Sequence, residues 1–366
     1  MTTQPIYVPV LKGKEGEFAA LEALDPLSAD VKPQLLPLIE IPSVPYDYAN
    51  ERPAKSLDDH VAGIADRLRK CWPSRPVLLD LPWFDEERLA DDRVALAAVL
   101  ADCVAKGVHA VPVVARKSSV SYLSAAGNHA SESGFGACVR LLVEDFEEDV
   151  DLSAEVDRTL NGLEASNASS IDLVLDLEDV GTEDARAVLI ARSIFSMIPR
   201  RDEWRHVVLV GASFPEDLSE VDAATTSKLP RREWSLWKTL QKRPGLLPRR
   251  DMIFGDYAIA HPVPKELDPR VMLMSANIRY TTPPSWLIVK GRNVRQYGFD
   301  QYFELCKTLV DHPEYSGRDY SWGDRFISDC ATELTGPGNA TTWRKVGTNH
   351  HLTLVAREIA KLNSGS

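Results

Sequence analysis

The chain has 366 residues, 44 % hydrophobic and 26 % charged, a balance that buries a large core and excludes disorder as the default state. Its formal charge is −12 and its pI about 5.2, so the field of the whole molecule repels nucleic acid and anionic membrane and makes DNA an unfavourable partner. Five scattered cysteines without a C-x-x-C pair, a start (MTTQPIYVPV) without a basic then apolar leader, and no apolar run of about 18 residues predict a reduced, cytoplasmic, non-membrane protein.

Eight extended apolar runs precede residue 260: Ile6–Gly13, Leu35–Pro42, Pro76–Phe84, Ala110–Lys117, Ala137–Asp145, Ile171–Val180, His206–Pro215 and Met252–Ile259. Helical patterns fall between most of them: Ser56–Trp72 with Ser56 as N-cap, Asp91–Lys106 closed by Gly107, Asp151–Leu163, and Asp184–Ile198 closed by Pro199. Strand and helix alternating over short connections imply a parallel sheet, and eight such strands imply a closed (β/α)8 barrel of the TIM type. Two stretches break the pattern, the Gly/Ser-rich Ser118–Gly136 and Ala223–Arg249, and both read as lids or mouth loops, the second carrying a helix at EWSLWKTLQKR. ANIRYTTPPSWLIVKG then reads as a hairpin at the rim, and Phe299–Asp311 as the barrel's eighth helix. A short helix around Trp322–Glu333 and a last one from Trp343 to Leu362 complete the tail. The expected division is a barrel over 1–312, with its rim hairpin at about 270–292, and a C-terminal helical extension over 313–366 packed on it.

The sixth run shows the design most plainly. Ile171, Leu173, Leu175 and Leu177 share one face, while Asp172, Val174, Asp176 and Glu178 share the other. Aligning the other runs by phase places Lys12, Glu40, Asp80, Arg116, Glu144, Asp176, Glu178, Ser213 and Asp256 at strand ends facing inward. Barrel enzymes build their pockets at that rim, although single polar residues there also simply meet solvent. Glu40, Asp80, Asp176 and Asp256 are the candidate catalytic acids and bases. Asp80, Asp176 and Glu178 are candidate oxygen ligands for Mg²⁺ or Ca²⁺, and two of the carboxyls suit acid and base across a glycosidic bond equally well. The candidate ligand-binding residues are Lys12, Arg116, Glu144, Ser213, Tyr257, Arg279, Lys290 and His350; the basic ones suit a phosphate or carboxylate. Carboxylates gathered in one cavity raise each other's pKa unless cations lie among them, and Arg116, Lys12 or a metal is the expected cation.

His350 and His351 are neighbours, and on a helix they point about 100° apart, so they are poor joint ligands for one metal ion. The expectation is one buried, hydrogen-bonded histidine and one facing a pocket or solvent. Aromatic residues crowd the last third, from Trp234 to Trp343, and are expected to dock the extension on the barrel. No G-x-S-x-G, Walker A, H-E-x-x-H or G-x-G-x-x-G motif occurs.

In order along the chain, YVPVLKGKEGEFAAL, LLPLIEIP, FGDYAIAHP, SANIRYT, WLIVKGR, SWGD and TTWRKVGTNHHLTLV resemble the bacterial and phage beta protein family. The resemblance implies a gene of bacteria or their phages, often in mobile or defence-associated surroundings. It brings no established activity, so it transfers no catalytic residue. It marks Asp256, Arg279, Tyr280, Lys290, Trp322, Asp324, Trp343, Arg344, His350 and His351 as motif positions. The leading functional expectation is a hydrolase acting on a phosphate-bearing or other anionic ligand at the barrel mouth, with a divalent metal compatible with the acids. The alternative is a non-catalytic protein of a phage-defence system that senses a ligand or binds a partner.

Overall fold

Period-two alternation within short apolar runs, separated by single amphipathic helices, leaves each strand only parallel neighbours to pair with. The computed structural model, which describes residues 4–24, 27–147, 150–165, 168–243, 245, 247, 251–263 and 274–364, shows the resulting barrel. Strands β1 (Tyr7–Leu11), β2 (Leu38–Glu40), β3 (Pro76–Asp80), β4 (His109–Ala115), β5 (Ala137–Leu142), β6 (Ile171–Asp179) and β7 (Val207–Ala212) precede β8 (Thr225–Pro230) and β9 (Ile253–Asp256). All but β8 close into one parallel barrel in the order β1-β9-β7-β6-β5-β4-β3-β2. Leu173, Leu175 and Leu177 of β6 join the layer between barrel and helices, while Val174 joins Val8, Val10, Leu38, Leu78, Val111, Val113, Val208 and Val210 inside the barrel. Asp176 lies on the inner face at 1 % exposure.

Three elements differ from the sequence reading. Ser118–Gly136 is no lid: it forms the helix Val120–Ser133, capped by Ser119, whose Oγ accepts from the Tyr122 amide at 3.2 Å. Gly127 made this stretch look like a loop, but a Cβ there would stand 2.6 Å from the Leu163 carbonyl oxygen, so the glycine permits close helix packing. Ala223–Arg249 contains β8 before its helix, Arg232–Gln241, and β8 adds a third strand to the rim hairpin. The rim sheet is antiparallel, in the order β8-β11-β10, with β10 at Ser275–Thr281 and β11 at Ser285–Asn293.

The third difference concerns the eighth helix. Gln301–Val310 buries Tyr302, Cys306 and Leu309 against Ala276, Ile278, Leu287 and Val289 of the rim sheet, not against the barrel. The last helix, Ala340–Ser364, takes the barrel position instead, beside the first helix, Glu15–Glu22, and β1. Its 25 residues span about 37 Å at 1.5 Å per residue, enough to serve two cores. Trp343 and Val346 belong to the rim core, whereas Leu352, Leu354, Val355, Ala356 and Ile359 belong to the barrel's helix layer. Burying each of the larger aliphatic side chains contributes about 1.5–3 kcal/mol, so the helix clamps the rim sheet to the barrel. Among the described residues no helix is long and apolar enough to cross a membrane. All five cysteines are buried and free.

Candidate functional site

A charged residue in the middle of an apolar strand must find partners or leave the core, and β5, with sequence ACVRLL, has one at Arg140. Arg140 points into the barrel mouth and uses all five of its N–H donors. Nη1 donates to Asp80 at 2.6 Å and Glu40 at 3.0 Å. Nε and Nη2 donate to Asp176 at 3.0 and 2.7 Å, and Nη2 also reaches the Tyr257 hydroxyl at 2.7 Å. Tyr257 in turn donates to Asp176 at 2.6 Å, its phenol kept protonated by burial. Lys12 completes the network, 2.7 Å from Glu40 and 4.9 Å over the Tyr257 ring.

Two cations thus face three carboxyls, and one acid is in surplus. Burial, reinforced by Glu40 and opposed by Arg140, pushes the Asp80 carboxyl up to about 6. Glu178 is also raised, by burial and then by Asp176. It stands half-buried at the rim with a left-handed backbone, φ 51°, where the β6–β7 pairing shifts register, and its amide donates to Asp176 at 2.9 Å. A non-glycine residue held in that region stores backbone strain, which is most common at functional sites. Asp80, Glu178, Arg140, Lys12 and Tyr257 line a cavity of about 410 Å³ whose outer wall includes Trp83, 55 % exposed.

The structure therefore brings together Lys12, Glu40, Asp80, Asp176, Glu178 and Tyr257. It corrects four other inward assignments. Asp256 is on the opposite face of β9 from Gly255 and Tyr257, so it points outward and lies fully buried under the last helix. Arg116 lies one residue past the inner-face position and pairs with Asp145 at 2.5 Å, away from the mouth acids. Glu144 is tied to Lys117 at 3.1 Å, both side chains more than half exposed. Ser213 follows the inward Ala212, faces out, and donates to Glu233 at 2.6 Å. The cation that the acids require is Arg140, which sequence reasoning missed; the legible signal was an arginine two residues from Cys138 on the inner face of an otherwise apolar strand. Nor do the candidate metal ligands stand free for an ion. Asp80 and Asp176 hydrogen-bond Arg140 and Tyr257, and among the described residues no group of three or more His, Cys, Asp or Glu side chains is arranged to hold a metal.

Both tail histidines are fully buried, so neither faces a pocket. His351 Nε2 donates to Asp256 at 3.0 Å and Nδ1 accepts from Thr281 at 2.9 Å; burial lowers its pKa and keeps the ring neutral. Asp256 is drawn below the usual carboxylate range because His351, Arg231 and Tyr7, whose hydroxyl is 2.5 Å away, outweigh its burial. His350 sits 2.8 Å from both Asp324 and the Thr281 carbonyl, stacked 3.9 Å from the Tyr280 ring. These contacts, with Trp343 stacked 4.1 Å from Tyr302 and Arg344 3.2 Å from Glu17, join the tail to barrel and rim. Arg279 and Lys290 line a cleft beside the mouth that also includes Lys12.

A family model described as Beta protein matches residues 7–357. No curated protein matches the sequence. Among solved structures, a thermostable mutant of a xylanase from Cellvibrio japonicus is similar at 12 % identity and a TM-score of 0.34, over 81 % of this chain and 96 % of that one.

Proposed function

This chain belongs to the Beta protein family, and from the acid in surplus at its barrel mouth we propose that it is a hydrolase acting on an anionic ligand, with Asp80 as the proton-transferring group. The observation that carries this reading is Asp80 itself, a cavity-lining carboxyl held near 6, where both protonation states are populated close to neutral pH. Arg140 and Tyr257 occupy Asp176 with hydrogen bonds, so Asp80, which meets only Arg140, is the acid assigned to proton transfer. Glu178, another of the carboxyls on the cavity wall, is the group assigned to orient a water. Lys12 lines both this cavity and the neighbouring basic cleft, and supplies positive charge where an anion enters.

Turnover assays over phosphomonoesters and phosphodiesters, taken from pH 4.5 to 8, test the reading. A rate profile with a limb near pH 6 that disappears in Asp80→Asn, while affinity survives, supports it. A second reading, a ligand receptor, is favoured by the closed hydrogen-bond set around Arg140, which leaves no nucleophile beside a free base. On that reading no ester is hydrolysed, and Asp176→Asn changes affinity alone.

A further inference from the structure

Between the barrel mouth and the tail lie two adjoining cavities of about 380 and 470 Å³ that share Lys14, Arg279 and Arg344. Here it is cations that lack a direct partner of opposite charge among the described residues. Arg279 is half-buried, and its two hydrogen bonds go to neutral acceptors, Asn277 at 3.3 Å and the Ile259 carbonyl at 2.8 Å. Among the described residues its other three N–H donors have no acceptor and are open to the cleft. Phe214, 4.7 Å under the guanidinium, holds the fork in place. Among the described residues no carboxylate pairs with Arg279 or with the exposed Lys14 side chain. Lys290 likewise donates only to carbonyls, those of Leu218 and Val221 at 2.7 and 2.5 Å.

The acids nearby match the cations in number, but among the described residues none pairs with Arg279 or Lys14. Arg344 pairs with Glu17 at 3.2 Å, Glu15 stands exposed at the edge, and Glu216 and Asp217 lie on the wall of the larger cavity. Mutual repulsion shows in the groups themselves. Burial and then Arg344 bring the Arg279 guanidinium down to about 10, and burial followed by Arg344 lowers the Lys14 ammonium. Cations without a direct carboxylate partner at a concave surface, in a chain of net charge −12, form a local anion site against the field of the molecule.

We propose that this cleft binds the phosphate group of a small phosphomonoester, with Arg279, Arg344 and Lys14 as its ligands. A planar guanidinium fork matches phosphate oxygens, the cavities have the size of small-molecule sites, and a phosphate gives Arg279 and Lys14 the direct anionic partner that no described carboxylate supplies. Lys12 lies between this cleft and the mouth, so a bound phosphomonoester extends its organic part toward Asp80. That last step rests on the reading of the mouth as an active site; the phosphate site does not.

The test is titration calorimetry of the full chain with inorganic phosphate and with a sugar phosphate, against chloride at matched ionic strength. Expected are saturable phosphate binding, tighter binding of the sugar phosphate, and at least about tenfold weaker binding of both in Arg279→Gln and in Lys14→Gln. Lys14 is exposed, so its variant folds even if Arg279→Gln does not. No binding beyond chloride, or unchanged binding in Lys14→Gln and Arg344→Gln, overturns the site. An Asp80→Asn protein that still binds phosphate but turns nothing over separates the two readings: the anion site stands whether or not the mouth is catalytic.

Discussion

Replacing Arg140 with methionine removes five hydrogen bonds and the main positive charge from the mouth, at nearly constant length. Glu40, Asp80 and Asp176 then have only Lys12 as a cation, and Lys12 reaches Glu40 alone. Breaking a buried ion pair from one side costs about 3–5 kcal/mol, because it leaves a charge desolvated without compensation. At about 2.1 cal/mol/K per residue, a chain of 366 residues has an unfolding entropy near 0.8 kcal/mol/K, so the melting temperature at pH 7.5 should fall by about 4–6 °C. The sign with pH follows from the carboxyls. Without the guanidinium, which opposes the effect of burial on Asp80, that carboxyl's raised pKa rises further, so the stability it contributes is present at low pH and is lost as pH rises through it. The gap between parent and variant should therefore be largest above pH 7 and shrink toward pH 5. Differential scanning calorimetry at pH 5.0, 6.5 and 8.0 measures it. A loss below about 1 kcal/mol at pH 7.5, or a gap that does not narrow on acidification, refutes the account of Arg140 as the charge that holds the mouth together. Adding Asp176→Asn to Arg140→Met should recover part of the loss, since the pair is coupled by direct contact.

Asp80→Asn should remove a titration near pH 6 from the parent's stability profile, because a raised carboxyl favours the folded state below its unfolded value and loses that advantage as pH rises through about 6. His351 runs the other way: its folded pKa is lowered, so its contribution is complete above about 6.5 and declines as pH falls below that. His351→Gln should accordingly flatten the fall in melting temperature between pH 7 and 5, and an unchanged slope would show that another group titrates. Gly127→Ala should destabilise by about 1–3 kcal/mol despite alanine's better helix propensity, because its Cβ would meet the Leu163 backbone; a stabilised variant in urea titration would disprove that contact. Deleting residues 340–366 should abolish soluble expression or lower the melting temperature by many degrees, and a truncated chain that melts like the parent would show that the last helix does not complete the barrel.

Each barrel strand could be located because it is a short apolar run with turn or helix signals on both sides, and β6 revealed its own phase through four leucine and isoleucine positions on one face. Where runs end, that guide fails. A one-residue offset exchanges the two faces of a strand, and the last residues of a run have no apolar neighbours to anchor the phase. Asp256 and Tyr257 illustrate it: the tyrosine, not the aspartate, faces the mouth, and Arg116 and Ser213 are displaced from it in the same way. Arg140 was hidden for a different reason. Its strand was read from its terminal Glu144, while the residue that matters stands in the middle, and only the convergence of β2, β3 and β6 around it shows why a buried guanidinium is tolerated there. The tail shows the limit most clearly. The sequence alone determined that a last helix runs from about Trp343 to Leu362, that acids cluster at the barrel rim, and that cations must compensate them, since these follow from local periodicity and from the cost of burying like charges. Only the tertiary structure decided which helix closes the barrel and which arginine meets the acids, because both depend on contacts between segments far apart in sequence, such as Thr353 with Ser28 and His351 with Asp256 on one side of the barrel, whose relative positions no local pattern encodes.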